Sequence, residues 1–307
     1  MSKRVIVIGA GLSGLRAADL LQRAGRQVIL LEAGDAPGGR VRTDIVDGFR
    51  IDRGFQVLLT EYPEVKAALD LKALDLKAFA PGAMVFQGGS STTLCDPWRR
   101  PLTGARGLFG PPGIVADRFR LATFRSRISL MSEKDLMSTA GVSFSDALRA
   151  HGFSTGFIDG FFRPWFGGIT LDRSLLADAA FCKFVFRCLA HGEAAVPALG
   201  MGAIGEQLAA RLEPGTLRLR SRVTSIEGSL VRLQSSETFE AETIVVATEG
   251  PEAGRLLRMP DGGSKSVTCA WFAADEPPFE GPWLALNGDG AGPVSYTHLT
   301  LPTKRIV

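Results

Sequence analysis

The feature that most constrains this chain is a strand, a glycine-rich turn, a helix and a second strand within its first 32 residues. The apolar run Arg4–Ile8 predicts a buried parallel strand. Residues 9–14 read G-x-G-x-x-G, and leucines at loosely helical spacing follow them. A second apolar run, residues 28–31, ends at Glu32. This order is typical of the βαβ unit that binds a dinucleotide.

Each position of the turn has a physical reason. Gly9 permits the tight turn, Gly11 lets a pyrophosphate approach the backbone, and Gly14 lets the helix pack close to the strand. Leu12 and Ser13 open the helix, whose free N–H groups and partial positive charge favour phosphate. All five residues are therefore predicted to bind the cofactor.

Glu32, followed by Ala33, is predicted to lie at the ribose of the adenosine. Its carboxylate suits ribose hydroxyls, but it would repel a ribose 2′-phosphate about 4 Å away, at a cost on the order of 1–4 kcal/mol. NADP is therefore disfavoured. FAD and NAD both remain possible cofactors, because the βαβ unit alone does not distinguish them.

A second glycine-rich stretch, residues 37–43, reads PGGRVRT. Its glycines let the chain pass close to a dinucleotide, and the guanidinium of Arg40, beside Gly39, suits a diphosphate. The stretch resembles the flavin-binding motif of the flavin amine oxidase superfamily, which includes amine oxidases, protoporphyrinogen oxidases and phytoene-type desaturases. The resemblance implies FAD as the cofactor. It also implies an α/β fold, in which a Rossmann-like FAD-binding domain carries an inserted, mixed α+β substrate domain.

The resemblance continues along residues 3–293. Residues 52–56 are similar to a segment beside the flavin, which implies that Gly54, Phe55 and Gln56 bind the cofactor. Residues 219–223 resemble a strand whose valine main chain meets the adenine, which implies a role for Val223. Further likenesses cover a second glycine-rich helix opening and a strand that returns to the flavin, at residues 197–204 and 245–248.

The domain organisation expected from these patterns is a chain that leaves the first domain, builds a second and returns. The predicted FAD-binding segments are 1–78 and 195–255, and the predicted substrate-domain segments are 79–194 and 256–293. An aromatic cluster at residues 161–168 has two interpretations, an apolar substrate channel or a hydrophobic core. The core is favoured, because apolar residues are usually inside.

Residues 294–307 read VSYTHLTLPTKRIV. They resemble the translation of a transposon-based sequencing adapter, and the alternative is a natural C-terminal extension. The adapter interpretation predicts that the native frame is left near Pro293. It also predicts that the chain as written lacks the superfamily's last flavin motif and is inactive.

No catalytic side chain is indicated. Amine oxidases of the superfamily often carry a lysine near the flavin on an aromatic strand, and alignment on residues 269–272 puts Thr268 there. This favours hydride transfer to flavin from an organic, apolar substrate over amine oxidation. Two alternatives stay open: an NAD-dependent dehydrogenase and a non-redox dinucleotide-binding protein.

Composition narrows the partners to a small-molecule substrate. The net charge is +3, and no basic run is interleaved with aromatics, so nucleic acid is not expected. The four cysteines form no Cys-x-x-Cys pair, which predicts reduced thiols, no metal site and a cytoplasmic protein. No apolar run reaches the roughly 18 residues of a membrane span. Peripheral contact with a membrane is left open.

Overall fold

The computed structural model describes residues 4–260, 262–290, 292–296, 299–300 and 305–306. It divides into two compact units. Unit 1 consists of the residues up to Val57, Glu64–Lys77 and Val196–Cys269. Unit 2 consists of Leu58–Pro63, Ala78–Ala195 and the residues from Ala270 onward.

The helices are, in chain order, α1 Leu12–Arg23, α2 Pro63–Ala68, α3 Pro101–Arg106, α4 Val115–Leu130, α5 Glu133–Met137, α6 Phe144–Ala150, α7 Thr155–Phe157, α8 Arg163–Thr170, α9 Ala179–His191, α10 Gly202–Ala209 and α11 Gly250–Leu257. A π-helical turn, Ile158–Phe162, joins α7 to α8.

The strands are β1 Arg4–Ile8, β2 Gln27–Leu31, β3 Thr43–Val46, β4 Phe49–Asp52, β5 Leu58–Leu59, β6 Leu76–Ala78, β7 Gly82–Gln87, β8 Ser90–Cys95, β9 Ala194–Pro197, β10 Leu217–Arg218, β11 Val223–Glu227, β12 Leu230–Leu233, β13 Thr238–Glu240, β14 Thr243–Val246, β15 Leu284–Asn287, β16 Ser295–Tyr296, β17 Leu299–Thr300 and β18 Arg305–Ile306.

Unit 1 is built on a parallel sheet of order β10-β2-β1-β14. β1 lies between β2, which follows it directly, and β14, which comes more than two hundred residues later. Helix α1 connects β1 to β2, and Gly25, with φ +74°, ends the helix one residue after its C-cap Ala24. This is the predicted Rossmann-like βαβ unit.

The core of unit 1 joins that sheet to an antiparallel sheet of order β11-β12-β13. Ile6 and Ile8 of β1 pack with Val231 of β12 and Leu256 of α11, all nearly free of solvent contact. Apolar burial of this kind is the main favourable contribution to folding. It fixes the position of the turn that leaves β1.

Unit 2 contains a mixed sheet of order β16-β15-β7-β8, in which β7 and β15 are parallel and β7 and β8 antiparallel. Its helical part packs around phenylalanine rings. Phe144 and Phe166 lie 4.6 Å apart between ring centroids, and Phe162 meets Phe144 edge-on at 5.9 Å. All three are fully buried, so the aromatic cluster at residues 161–168 is largely core.

The interpretation of residues 294–307 as a non-native tail falls partly on residues 297–298, 301–304 and 307, which lie outside the described residues. The described parts form β16 and the antiparallel pair β17–β18.

Candidate functional site

Two glycines of the turn are required by the packing of the protein itself. Gly9 has φ +98°, and a Cβ there would lie 3.0 Å from the Ala247 carbonyl oxygen. A Cβ at Gly14 would lie 1.8 Å from the carbonyl oxygen of Gly9, an overlap that no rotation relieves. Helix α1 therefore approaches β1 as closely as only glycine permits.

Gly11 is different, because no described part of the protein requires a glycine there. Its φ of −68° and ψ of 176° suit any residue, and a Cβ would meet no atom within 4 Å. The backbone at this position faces open space. Such an opening at the start of a helix suits the close approach of a ligand.

The start of α1 attracts anions. The first N–H groups of an α-helix lack intrahelical acceptors, and they carry the positive end of the helix dipole. Gly11 caps α1 without a side-chain hydrogen bond, and no acidic residue lies in the first turn of this fully described helix. Ser13 is exposed and Leu12 half-buried. The predicted phosphate-binding residues thus share one site.

Glu32 closes one side of this site. Its Oε2 accepts a hydrogen bond from the Ala10 amide at 2.7 Å, and its Oε1 accepts one from the Gly34 amide at 2.7 Å. A carboxylate offers about four acceptor positions, so it can still accept hydroxyl groups while both amides are bound. Ala33, next to it, is exposed.

The PGGR turn crosses over the first glycine turn. The Gly38 amide donates to the Ala10 carbonyl at 2.8 Å, and a Cβ at Gly39 would lie 3.1 Å from the Cα of Gly11. The guanidinium of Arg42 pairs with Asp35 at 2.8 Å, whereas Arg40 is exposed. Of the two arginines in the motif, Arg40 is the one free to meet an anion at the surface.

The segment around Gly54 connects to the same turn. The Gln56 side-chain amide donates to the carbonyls of Arg40 at 3.0 Å and Arg53 at 3.2 Å. Gly54 has φ +101°, which favours glycine, and Phe55 is half-buried. Three of the predicted cofactor residues are thereby held beside the PGGR turn.

A buried link between Asp52 and Thr43 was not predicted as part of the site. Asp52 Oδ1 accepts hydrogen bonds from the Thr43 hydroxyl and, at 2.9 Å, from the Met201 amide. The Thr43 oxygen accepts from the Gly202 amide at 2.8 Å. Burial raises the pKa of the Asp52 carboxyl, and both of its hydrogen bonds oppose that rise. The one clue to this link in the sequence was Thr43 itself, because it ends the PGGRVRT motif.

This link fixes the β3–β4 hairpin to the start of α10. A Cβ at Gly200 would collide with the Thr43 side chain, so the glycine-rich helix opening at residues 197–204 is shaped by the protein's own packing. The hairpin and α10 come from segments more than 140 residues apart, which is why sequence spacing could not pair them.

Residues 267–269 lie against the Asp52–Gly54 segment. A Cβ at Gly54 would be 3.7 Å from a methyl of Val267. Burial raises the pKa of the Cys269 thiol, and the nearby Asp52 carboxyl raises it further. The strand expected on residues 269–272 is wrong, because the chain over residues 262–272 is irregular. Thr268 there is exposed.

Val223, the predicted adenine contact, begins β11 with its side chain buried in the core of unit 1. Its carbonyl accepts a hydrogen bond from the Arg255 guanidinium at 3.1 Å. Only its main chain is therefore in a position to serve a ligand.

Among the residues that the structure describes, no cluster of three or more His, Cys, Asp or Glu side chains is arranged to hold a metal ion. No helix in the same ranges is long and apolar enough to cross a membrane.

Comparison with known proteins identifies a family profile and several relatives. The profile of the flavin containing amine oxidoreductases matches residues 12–306. An L-amino-acid oxidase of Sistrurus catenatus edwardsii is 42% identical over 77 residues, which are 25% of this chain and 15% of that protein. The matched stretch thus spans a small part of the curated relative.

Two solved structures share the fold. An oxidoreductase from Methanosarcina mazei has a TM-score of 0.69 at 16% identity, covering 99% of this chain and 77% of that one. A putrescine oxidase bound to putrescine has a TM-score of 0.60 at 20% identity, covering 83% of this chain and 60% of that one. These likenesses confirm the predicted α/β fold class with its Rossmann-like domain.

Proposed function

The chain belongs to the flavin containing amine oxidoreductase family, and on that premise we propose that it is an FAD-dependent oxidoreductase. Membership confirms the predicted superfamily and the predicted FAD cofactor. The flavin, when bound, accepts hydride from the substrate, and the protein supplies binding, orientation and electrostatics.

One observation carries the proposed binding mode: Gly11 is a glycine that the protein's own packing does not need. The diphosphate of FAD is proposed to lie over it, at the start of α1. Glu32 then accepts hydrogen bonds from the ribose, and Arg40 meets the diphosphate charge. The proposed cofactor-binding residues are Gly9, Gly11, Leu12, Ser13, Gly14, Glu32, Ala33, Gly39, Arg40, Gly54, Phe55, Gln56 and Val223.

The test is Gly11→Ala, with Gly262→Ala as a matched control. Gly262 also has an ordinary φ and no atom within 4 Å of an added Cβ, and it is not among the proposed cofactor-binding residues. Without FAD, Gly11→Ala should melt like the wild type, yet it should retain FAD at least about tenfold less tightly, because a methyl occupies the phosphate's approach. Equal flavin retention by both variants after gel filtration would show that Gly11 is not a cofactor contact.

The proposed substrate is an organic, apolar molecule that gives up hydride. Its support is Thr268, where amine oxidases of the superfamily often have lysine. The phenylalanines of unit 2 add little, since the described rings are mostly core. The matched relatives carry the names L-amino-acid oxidase and putrescine oxidase, so amines belong in the same assay. Anaerobic bleaching of the flavin by polyenes, porphyrinogens and amines separates the two classes.

An NAD-dependent dehydrogenase and a non-redox dinucleotide-binding protein are the alternatives. The visible spectrum of the purified protein distinguishes them. Oxidised-flavin bands that bleach with substrate support the oxidoreductase. A colourless protein that binds NAD supports the dehydrogenase. Flavin bands that none of the tested substrates bleaches support the non-redox protein.

The two units are proposed to divide the work. Segments 1–78 and 195–255 would hold the cofactor, and segments 79–194 and 256–293 would hold the substrate. The compact units divide near these boundaries, although residues 256–269 pack with unit 1 and residues 58–63 with unit 2. A cytoplasmic location stays a prediction.

A further inference from the structure

A surface of unit 2 plays no part in the proposed cofactor site. Four large apolar side chains stand in solvent around the start of α4: Phe109 is 74% exposed, Ile114 57%, Val115 43% and Phe119 63%. We name residues 107–119, which carry them, the apolar tip. Single exposed apolar residues are ordinary, whereas several on one short segment mark an interaction surface.

The backbone of the apolar tip is firmly fixed. The buried guanidinium of Arg118 donates to the carbonyls of Gly107 at 3.1 Å, Gly110 at 2.8 Å and Pro112 at 2.6 Å. Asp117, fully buried, accepts from the Ile114 amide at 3.0 Å. The exposure of the apolar side chains is therefore a property of an ordered segment, made of a loop and the first turn of α4.

These bonds also decide what kind of partner suits the tip. A segment that enters a lipid interface must satisfy its backbone polar groups internally, since the lipid offers no partners. Arg118 does this for three carbonyls, and Pro111 and Pro112 have no N–H to satisfy. A protein partner could instead supply hydrogen-bond partners of its own, whereas lipid tails cannot.

The charge around the tip points the same way. Residues 96–132 contain seven arginines and two carboxylates, so this part of the sequence carries excess positive charge even though Asp96 pairs with Arg125 and Asp117 with Arg120. Arg127 is exposed and the side chain of Arg120 is 37% exposed. Basic residues beside an apolar surface are attracted to anionic headgroups.

We propose that the apolar tip docks this protein onto an anionic lipid surface. Phe109 and Phe119 enter the interface between headgroups and acyl chains, and Arg127 faces the lipid phosphates. The proposal needs no flavin and no substrate, so its failure is distinct from a failure of the proposed activity.

The test is sedimentation of the whole chain with vesicles of phosphatidylcholine, with or without phosphatidylserine. The wild type should bind the mixed vesicles, and salt should weaken that binding. Phe109→Ser combined with Phe119→Ser should lower the partition coefficient at least about tenfold. Arg127→Ser should lower binding to the mixed vesicles alone. The control is Phe272→Ser, which changes a 66% exposed phenylalanine outside the tip and should bind like the wild type.

Two results would overturn the proposal. One is equal vesicle binding by the wild type and the tip variant. The other is a wild type that ignores vesicles but forms a dimer that the tip variant abolishes, because the tip would then be a contact between copies of the chain.

Discussion

The glycine turn of unit 1 and the phenylalanine core of unit 2 are both closely packed, but the turn packs through backbone atoms and the core through side chains. In the turn, backbone meets backbone, and a Cβ at Gly14 would lie 1.8 Å from a carbonyl oxygen. In the core, side chain meets side chain, with ring centroids 4.6 Å apart for Phe144 and Phe166. The turn depends on residue identity at each position, whereas the core depends on total volume and apolarity.

The largest expected effect of a single substitution is at Gly14. Gly14→Ala should cost more than about 5 kcal/mol of unfolding free energy, because its methyl overlaps backbone that cannot rotate away. Chemical denaturation followed by circular dichroism measures this. Gly11→Ala, the same chemical change three residues earlier, should stay within about 0.5 kcal/mol of the wild type when both proteins are free of FAD. Equal stability of the two variants would contradict the packing of α1 against the turn.

A large but graded effect is expected in the core. Phe162→Ala should cost about 3–5 kcal/mol, since it removes a fully buried ring and leaves a cavity. Phe162→Leu refills much of that volume and should cost about 1–2 kcal/mol. The same denaturation experiment compares them. If Phe162→Leu lowers the unfolding free energy as much as Phe162→Ala, the core is as specific for residue identity as the glycine turn. The contrast between the two regions would then be wrong.

This contrast explains how much of the molecule could be predicted from the sequence. The βαβ unit was predicted in order, because each element there has a local signal, and a glycine, Gly25, stands where its helix ends. The parallel pairing of β14 with β1 agrees with the fold class expected from the family resemblance. The link from Asp52 to Met201 was not foreseen, since nothing local connects residues so far apart.

Helix boundaries in unit 2 show the same limit. The sequence predicts a helix near residues 174–190, but α9 begins at Ala179, because the Asp178 side chain accepts a hydrogen bond from the Ala180 amide at 2.7 Å and caps the helix there. Leu175, inside the expected helix, has φ +58°. The helices over residues 155–170 were missed, since Pro164 and two adjacent glycines weaken their local signal. Tertiary packing overrides propensity there.

A pH-dependent effect is expected at Asp52, where burial raises the carboxyl pKa in the folded protein. A raised pKa means that the folded state binds the proton more tightly, so stability is lost as pH rises from the ordinary value of 3.8 through the folded value. Asp52→Asn keeps an acceptor for Thr43 and Met201 but removes the charge. Melting temperatures should therefore fall with pH in the wild type relative to this variant.

The other carboxyls do not remove the expected difference in melting temperature between the wild type and Asp52→Asn. Burial raises the pKa of Asp117, but hydrogen bonds, chiefly from Ile114 and Ser154, outweigh it and lower the pKa, so this contribution is lost only as pH falls below 3.8. The two windows do not overlap. If the melting temperatures of the wild type and Asp52→Asn change in parallel as pH rises from 3.8, the Asp52 carboxyl is not perturbed.

The smallest expected effect concerns the thiols and tests whether the core of unit 2 is closed to solvent. Burial raises the pKa of Cys182 to about 12, and the side chain is fully buried in α9. At pH 8 only about one molecule in ten thousand would hold the reactive thiolate, so iodoacetamide should label it only through unfolding. Cys269 of unit 1 is half-buried and should be labelled first, even though burial raises its pKa as well. Mass spectrometry of the labelled peptides gives both rates. If the two thiols are labelled at equal rates, access of the reagent, and not thiol chemistry, sets both rates. The phenylalanine core of unit 2 would then open as readily as the edge of unit 1.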